Sequence, residues 1–132
     1  MSGNGEKIKV AVVDDDPSIA KVMKIILTSH GFDVVVAPGG EAGLALARSE
    51  MPDILLLDVM MPDIDGFEVC RRLKADEATR DIPVIFVSAL GNAADVQKGI
   101  SLGARAYITK PFTPDVLLAR IDEISNGKQR VV

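Results

Sequence analysis

The residues of this chain best suited to chemistry are carboxylates, one hydroxyl and one ammonium. Asp14-Asp15-Asp16 follow one apolar run, Asp58 follows a second, Ser88 a third and Lys110 a fourth. Two or three carboxylates brought close together repel and raise one another's pKa unless a cation sits among them. Asp14, Asp15 and Asp58, with a backbone carbonyl and water, suit a hard octahedral cation such as Mg²⁺, which takes oxygen ligands and keeps several waters. That cation and the fixed charge of Lys110 would neutralise a phosphoryl group in transit. Asp58 is then a nucleophile that yields an acyl phosphate, and Ser88 a hydroxyl donor to a phosphoryl oxygen.

Taken singly, each of these residues also has an ordinary structural role. An Asp run ahead of a helix caps it, and Asp16 reads as that cap. A Ser after a strand is a turn residue, and a Lys before Pro is a solvated surface lysine. Asp63-Ile64-Asp65-Gly66 looks like a fragment of a calcium loop but lacks the later Glu, so it reads as a turn into the next helix. Gly39-Gly40 has no Lys-Ser/Thr after it and reads as a turn rather than a phosphate cradle. Cys70 reads as core, and His30 as a helix-end residue.

These groups gain force from the elements that must carry them. Five apolar runs, Ile8–Val13, Asp33–Ala37, Ile54–Leu57, Val84–Val87 and Ala106–Thr109, alternate with helix-length segments, as in βαβ units. Most runs are continuous, which suits parallel strands covered on both faces. The intervening helices are expected at about Pro17–His30, Gly40–Ser49, Gly66–Ala75, Ala93–Leu102 and Pro114–Ser125, bounded by Asp16-Pro17, Gly31, Gly103 and Gly127. Their inward stripes are read as Ile19, Val22, Met23 and Ile26; then Ala42, Ala45 and Leu46; then Phe67, Cys70 and Leu73; then Val96 and Ile100; then Leu117, Ile121 and Ile124. The expected fold is α/β, a three-layer doubly wound (βα)5 arrangement around a parallel five-stranded sheet of order 2-1-3-4-5. Ligands of such sheets bind beyond the carboxyl ends of strands, beside the switch point between strands 1 and 3. Asp14, Asp15, Asp58, Ser88 and Lys110 all fall on that edge.

Composition narrows the classes. The 132 residues make one domain, expected over 7–126, with a disordered N-terminal tail at 1–6 and a C-terminal tail at 127–132. A net charge of −4 with no dense Lys/Arg run argues against direct nucleic-acid binding. One Cys and one His exclude a thiolate zinc cluster and a His-rich metal site. No apolar run is long enough for a bilayer span, so no membrane association is expected. The N-terminus lacks the apolar core of a signal peptide, so a cytoplasmic location is expected.

Val12-Val13-Asp14-Asp15, Leu57-Asp58-Val59-Met60-Met61-Pro62 with Gly66, Val87-Ser88-Ala89, and Gly103-Ala104-Arg105-Ala106-Tyr107-Ile108-Thr109-Lys110-Pro111-Phe112 closely resemble the receiver domains of two-component response regulators. The resemblance spans about residues 7–126 and carries the same strand order. It implies that Asp58 is the phosphoacceptor, supplied by a sensor histidine kinase or a histidine phosphotransfer protein. It also implies that Asp14 and Asp15 hold Mg²⁺ (Mn²⁺ being the alternative ion) with Asp58 and the Met60 backbone carbonyl. Ser88 resembles the switch hydroxyl, Tyr107 the aromatic that turns inward when that hydroxyl moves, and Lys110 the lysine of the site, joined to Pro111 by a cis bond. A two-state surface over helix 4, strand 5 and helix 5 follows, with Val116 and Leu118 as extra apolar groups there.

Met60 lies two residues beyond Asp58 and Leu90 two beyond Ser88; both are apolar, so slow loss of the phosphoryl group is expected. The downstream partner is either a separate protein target or a fused output domain, and dimerisation on phosphorylation stays open. A competing class is an Mg²⁺-dependent phosphatase of haloacid dehalogenase type with Asp14 as nucleophile, since Asp14-Asp15-Asp16 fits Asp-x-Asp. Against it, no acidic pair follows Lys110 on a further strand, no cap domain is present, and Asp58 would have no role. A scaffold with a degenerate site is disfavoured because every expected site residue is there.

Overall fold

The computed structural model describes residues 7–129, with side chains described through Ser125. The expected tail at 1–6 lies outside these residues. The elements run β1 (Lys9–Val13), α1 (Pro17–Ser29), β2 (Asp33–Ala37), α2 (Gly40–Glu50), β3 (Ile54–Leu57), α3 (Gly66–Ala75), β4 (Val84–Ser88), α4 (Ala93–Ser101), β5 (Ala106–Thr109) and α5 (Pro114–Gln129). The five strands form one parallel sheet in the order β2-β1-β3-β4-β5, as expected. One boundary needs correcting: α5 continues to Gln129, so Gly127 does not end it and residues 127–129 belong to the helix rather than a tail. Residues 130–132 lie outside the described chain.

Alternate strand residues point to opposite faces, and the core divides accordingly. Ala11, Val13, Leu55, Leu57, Val84 and Phe86 meet Leu44, Ala47, Val69, Cys70 and Leu73 from α2 and α3. Val10, Val12, Ile54, Leu56, Ile85, Val87 and Ile108 meet Ala20, Met23, Leu27, Leu117, Ile121 and Ile124 from α1 and α5. β3 and β4 are buried along their whole length, which is why their apolar runs are uninterrupted. The edge strands β2 and β5 are partly exposed. Among the described residues no helix is long and apolar enough to cross a membrane.

Helix ends follow their local chemistry. Asp16 accepts from the amides of Ser18 and Ile19 at the start of α1. Gly31 and Gly103 take the left-handed conformation after α1 and α4, where a side chain would strain the backbone.

Three inward faces differ in part from the expected ones, and in α2 and α4 a glycine explains the difference. In α2 the buried positions are Gly40, Gly43, Leu44 and Ala47 and Leu46 is half-buried against the core, whereas Ala42 and Ala45 are exposed. The missing side chain of Gly43 decides this, because a Cβ there would stand 2.7 Å from Val13 Cγ1. In α1 the stripe is turned toward Ala20, Met23 and Leu27, leaving Ile19 and Ile26 half-buried and Val22 exposed. In α4 the contact is Gly99, with Val96 half-buried and Ile100 exposed. A Cβ at Gly99 would sit 2.9 Å from the Phe86 ring and 3.1 Å from Tyr107 Cδ2. In α2 and α4 the close approach of a glycine outweighs the burial of a larger residue.

Candidate functional site

The carboxyl edge of the sheet brings together the side chains that the sequence separates. Asp14 leaves β1 and Asp58 leaves β3, adjacent strands whose last residues, Val13 and Leu57, are in register. The Asp58 amide continues the ladder by donating to the Val13 carbonyl at 3.0 Å. Lys110 follows β5, and its backbone amide donates to the Ser88 carbonyl of β4 at 2.8 Å. The Lys110–Pro111 peptide is cis, as the resemblance implied.

Lys110 Nζ donates to Asp14 Oδ2 at 2.9 Å and to Asp58 Oδ2 at 3.3 Å. All three groups are secluded: the side chains are 12%, 1% and 8% exposed, respectively. The other carboxylate oxygens are also engaged. Asp14 Oδ1 accepts from the Asp16 amide at 2.9 Å, and Asp58 Oδ1 accepts from the amides of Val59 at 2.7 Å and Met60 at 3.4 Å. Burial pushes the Asp58 carboxyl above its ordinary value; the Lys110 charge opposes this and the Asp14 charge adds to it. For Lys110, burial works downward, but the bond to Asp14 and the charge of Asp58 outweigh it and the ammonium is held above its usual value.

Asp15 completes the acidic group. It is exposed, yet one oxygen each from Asp14, Asp15 and Asp58 lie within 4.8 Å of one another. Hard oxygen donors at that spacing match a small divalent cation and suit neither a soft metal nor a thiolate-dependent one.

Ser88 is fully buried at the end of β4, and its Oγ accepts from the Leu90 amide at 3.2 Å. The Tyr107 hydroxyl donates to the Leu90 carbonyl. Its half-buried ring lies 5.7 Å from that of Phe86, tilted by 37°. Ser88 and Tyr107 are thus joined through one backbone unit. Met60 and Leu90 line a groove of about 570 Å³ together with Asp15, Met61 and Lys98. Met60 is 56% exposed.

Asp14, Asp15, Asp58, Ser88 and Lys110 fall at this edge, whereas Tyr107 lies within β5 opposite Phe86 and reaches the loop after β4 through its hydroxyl. What motif and spacing do not reveal is how the loop after β3 is packed. A Cβ on Gly66 would stand 2.0 Å from the Asp58 carbonyl oxygen and 2.9 Å from Val59 Cα, both backbone atoms that cannot swing aside. Gly66→Ala is therefore expected to lower stability by about 1–3 kcal/mol, the range for overpacking, and to displace Asp58. The urea midpoint and phosphate uptake would both fall, and wild-type values in both would refute the close packing. Asp63 and Gly99 are likewise visible only in three dimensions.

The chain belongs to the response regulator receiver domain family, whose profile matches residues 10–122. The DNA-binding dual master transcriptional regulator RpaA of Synechocystis sp. is 42% identical over 123 residues, covering 93% of this chain and 51% of its own length. The response regulator PleD of Caulobacter vibrioides is 41% identical over 120 residues, covering 91% of this chain and 26% of its own. The chain therefore spans about half, or less, of these curated relatives. The Francisella response regulator 1452 receiver domain superposes with a TM-score of 0.87 at 32% identity, covering 93% of this chain and all of that one. A BeF3-activated DrrB receiver domain gives 0.81 at 38% identity, covering 91% and 98%. The function is that of a receiver domain of two-component signalling. The phosphatase alternative with Asp14 as nucleophile finds no support among these relatives.

Proposed function

We propose that Asp58 accepts a phosphoryl group from the phosphohistidine of a sensor histidine kinase or histidine phosphotransfer protein. The observation that carries this is the Lys110 ammonium bridging the buried carboxylates of Asp14 and Asp58 at the sheet edge. An Asp58 oxygen attacks phosphorus, the phosphorus–nitrogen bond breaks, and the imidazole leaves with the electron pair, to be protonated from water. Asp14, Asp15, Asp58 and the Met60 carbonyl would hold Mg²⁺, or Mn²⁺ in its place, which supplies positive charge to the phosphoryl oxygens. Lys110 already spans both carboxylates and needs little reorganisation to meet the incoming charge.

The Ser88 hydroxyl then donates to a phosphoryl oxygen. That exchange disturbs the Leu90 amide bond, and the Leu90 carbonyl passes the change to Tyr107 and so to the face formed by α4, β5 and α5. Exposed Ile100 and Val116 give that face apolar contacts for a downstream target or a fused output domain. The domain stores a message rather than turning over a substrate.

Mapping the labile phosphate tests this directly. After incubation with Mg²⁺ and acetyl phosphate, borohydride reduction and peptide mass spectrometry are expected to find the modified carboxyl at Asp58. A modified Asp14 with continued turnover would instead favour the phosphatase chemistry, and no modification a scaffold.

A further inference from the structure

The start of α2 has no capping side chain of its own. Its N-cap is Gly39, which is extended and makes no side-chain bond, so the first amides of the helix need acceptors from elsewhere. One distant carboxylate supplies both. The Gly40 amide donates to Asp63 Oδ1 at 3.0 Å and the Glu41 amide to Asp63 Oδ2 at 2.8 Å. Asp63 sits in the loop between β3 and α3, five positions beyond Asp58 and three beyond Met60.

The two glycines admit this contact. A Cβ on Gly39 would stand 3.2 Å from Asp63 Oδ1, and one on Gly40 would stand 2.4 Å from Ile64 Cγ1 and 2.8 Å from the Ile64 carbonyl oxygen. The amides of Glu41 and Gly40 hold the Asp63 carboxyl down at about 2, as expected for a carboxylate on a helix N-terminus.

The ends of the loop are secured separately. Asp58 N bonds Val13 O at 3.0 Å, Gly66 N bonds Val59 O at 2.8 Å, and Asp65 caps α3 through the Glu68 amide at 2.9 Å. Between these anchors, among the described residues, the hydrogen bonds tying residues 60–64 to another element are the two on Asp63. Met60, whose carbonyl is the main-chain oxygen proposed above for the cation, lies inside that span.

We infer that Asp63 is a positioning residue for the acidic site: it clamps the loop onto α2 and so holds the Met60 carbonyl at the rim formed by Asp14, Asp15 and Asp58. This rests on the proposed Mg²⁺ site, and Asp63 itself is not a ligand of it. Capping a helix from another loop couples the two. Losing the cap frees the loop as well as the helix.

The test uses the whole chain and needs no phosphorylation. Mg²⁺ affinity of wild type, Asp63→Ala and Asp63→Asn is measured by amide NMR titration, alongside hydrogen exchange at Gly40 and Glu41 and a thermal melt. Asp63→Ala is expected to bind Mg²⁺ about tenfold more weakly, the lower end of the effect of groups that support metal ligands. Faster exchange at both amides should accompany it. Asp63→Asn keeps one acceptor and is expected to fall between the two. A lower melting temperature with unchanged Mg²⁺ affinity of the folded protein would make Asp63 merely structural and overturn the inference. Wild type that binds no Mg²⁺ would overturn the metal site as well, so the two failures are distinguishable.

Discussion

Asp58→Asn takes up no phosphate from acetyl phosphate, while its fold and its Lys110–Asp14 bond survive. An amide has no anionic oxygen to attack phosphorus, yet it matches the carboxylate in shape. Lys110 keeps Asp14 Oδ2 at 2.9 Å as an acceptor when its 3.3 Å partner on Asp58 becomes neutral. The substitution also removes a buried charge: the burial of Asp58 itself, and then the charge of Asp14, both oppose its ionisation. Stability carries a second signature. Because the folded-state value of Asp58 is raised, its contribution is fully present below the ordinary carboxylate pKa of about 3.9 and is lost as pH rises through the folded value. Wild type is therefore expected to lose stability relative to Asp58→Asn over that rise. Radiolabel uptake, with urea denaturation at several pH values, checks both. Undiminished uptake by Asp58→Asn would remove the nucleophile from the proposal.

The second large effect concerns how long the message lasts. Hydrolysis of an acyl phosphate needs a water held in line with the breaking bond. Met60 and Leu90 line the groove that opens beside Asp15, and neither side chain offers that water a donor or a strong acceptor. Met60→Asn together with Leu90→Glu gives the groove polar groups and a carboxylate able to orient and polarise it. Phosphate loss is expected to accelerate by roughly 10- to 100-fold, a modest share of what positioning and general base catalysis can supply. The check is the decay of preloaded protein after the donor is removed. A decay rate equal to that of wild type would show that these side chains do not govern water access.

Much of this site was legible in the chain itself because parallel sheets place chemistry at a known edge. Asp14, Asp58, Ser88 and Lys110 each end a strand, and the uninterrupted apolar runs of β3 and β4 mark strands buried on both sides. The helix faces were less legible. Gly40–Glu50 contains so many small residues that stripes one or two positions apart score alike, and only the fit of Gly43 over Val13 separates them. Ile100 was expected to anchor α4, but hydrophobicity says nothing about the gap that Gly99 leaves for Phe86 and Tyr107. Asp63 reads as a local turn residue because its partners, Gly40 and Glu41, are more than twenty positions away. Contacts made by backbone, or by the lack of a side chain, leave no periodic trace.

The bonds made by Leu90 have an evolutionary corollary. Its amide meets Ser88 and its carbonyl meets Tyr107, so main-chain atoms of this residue connect the hydroxyl to the aromatic ring. The Leu90 side chain makes neither of these bonds; it packs against the core and is otherwise open to selection on persistence. Descendants of such a domain could become brief or enduring timers by exchanging one residue, while the mechanical output stays as it was.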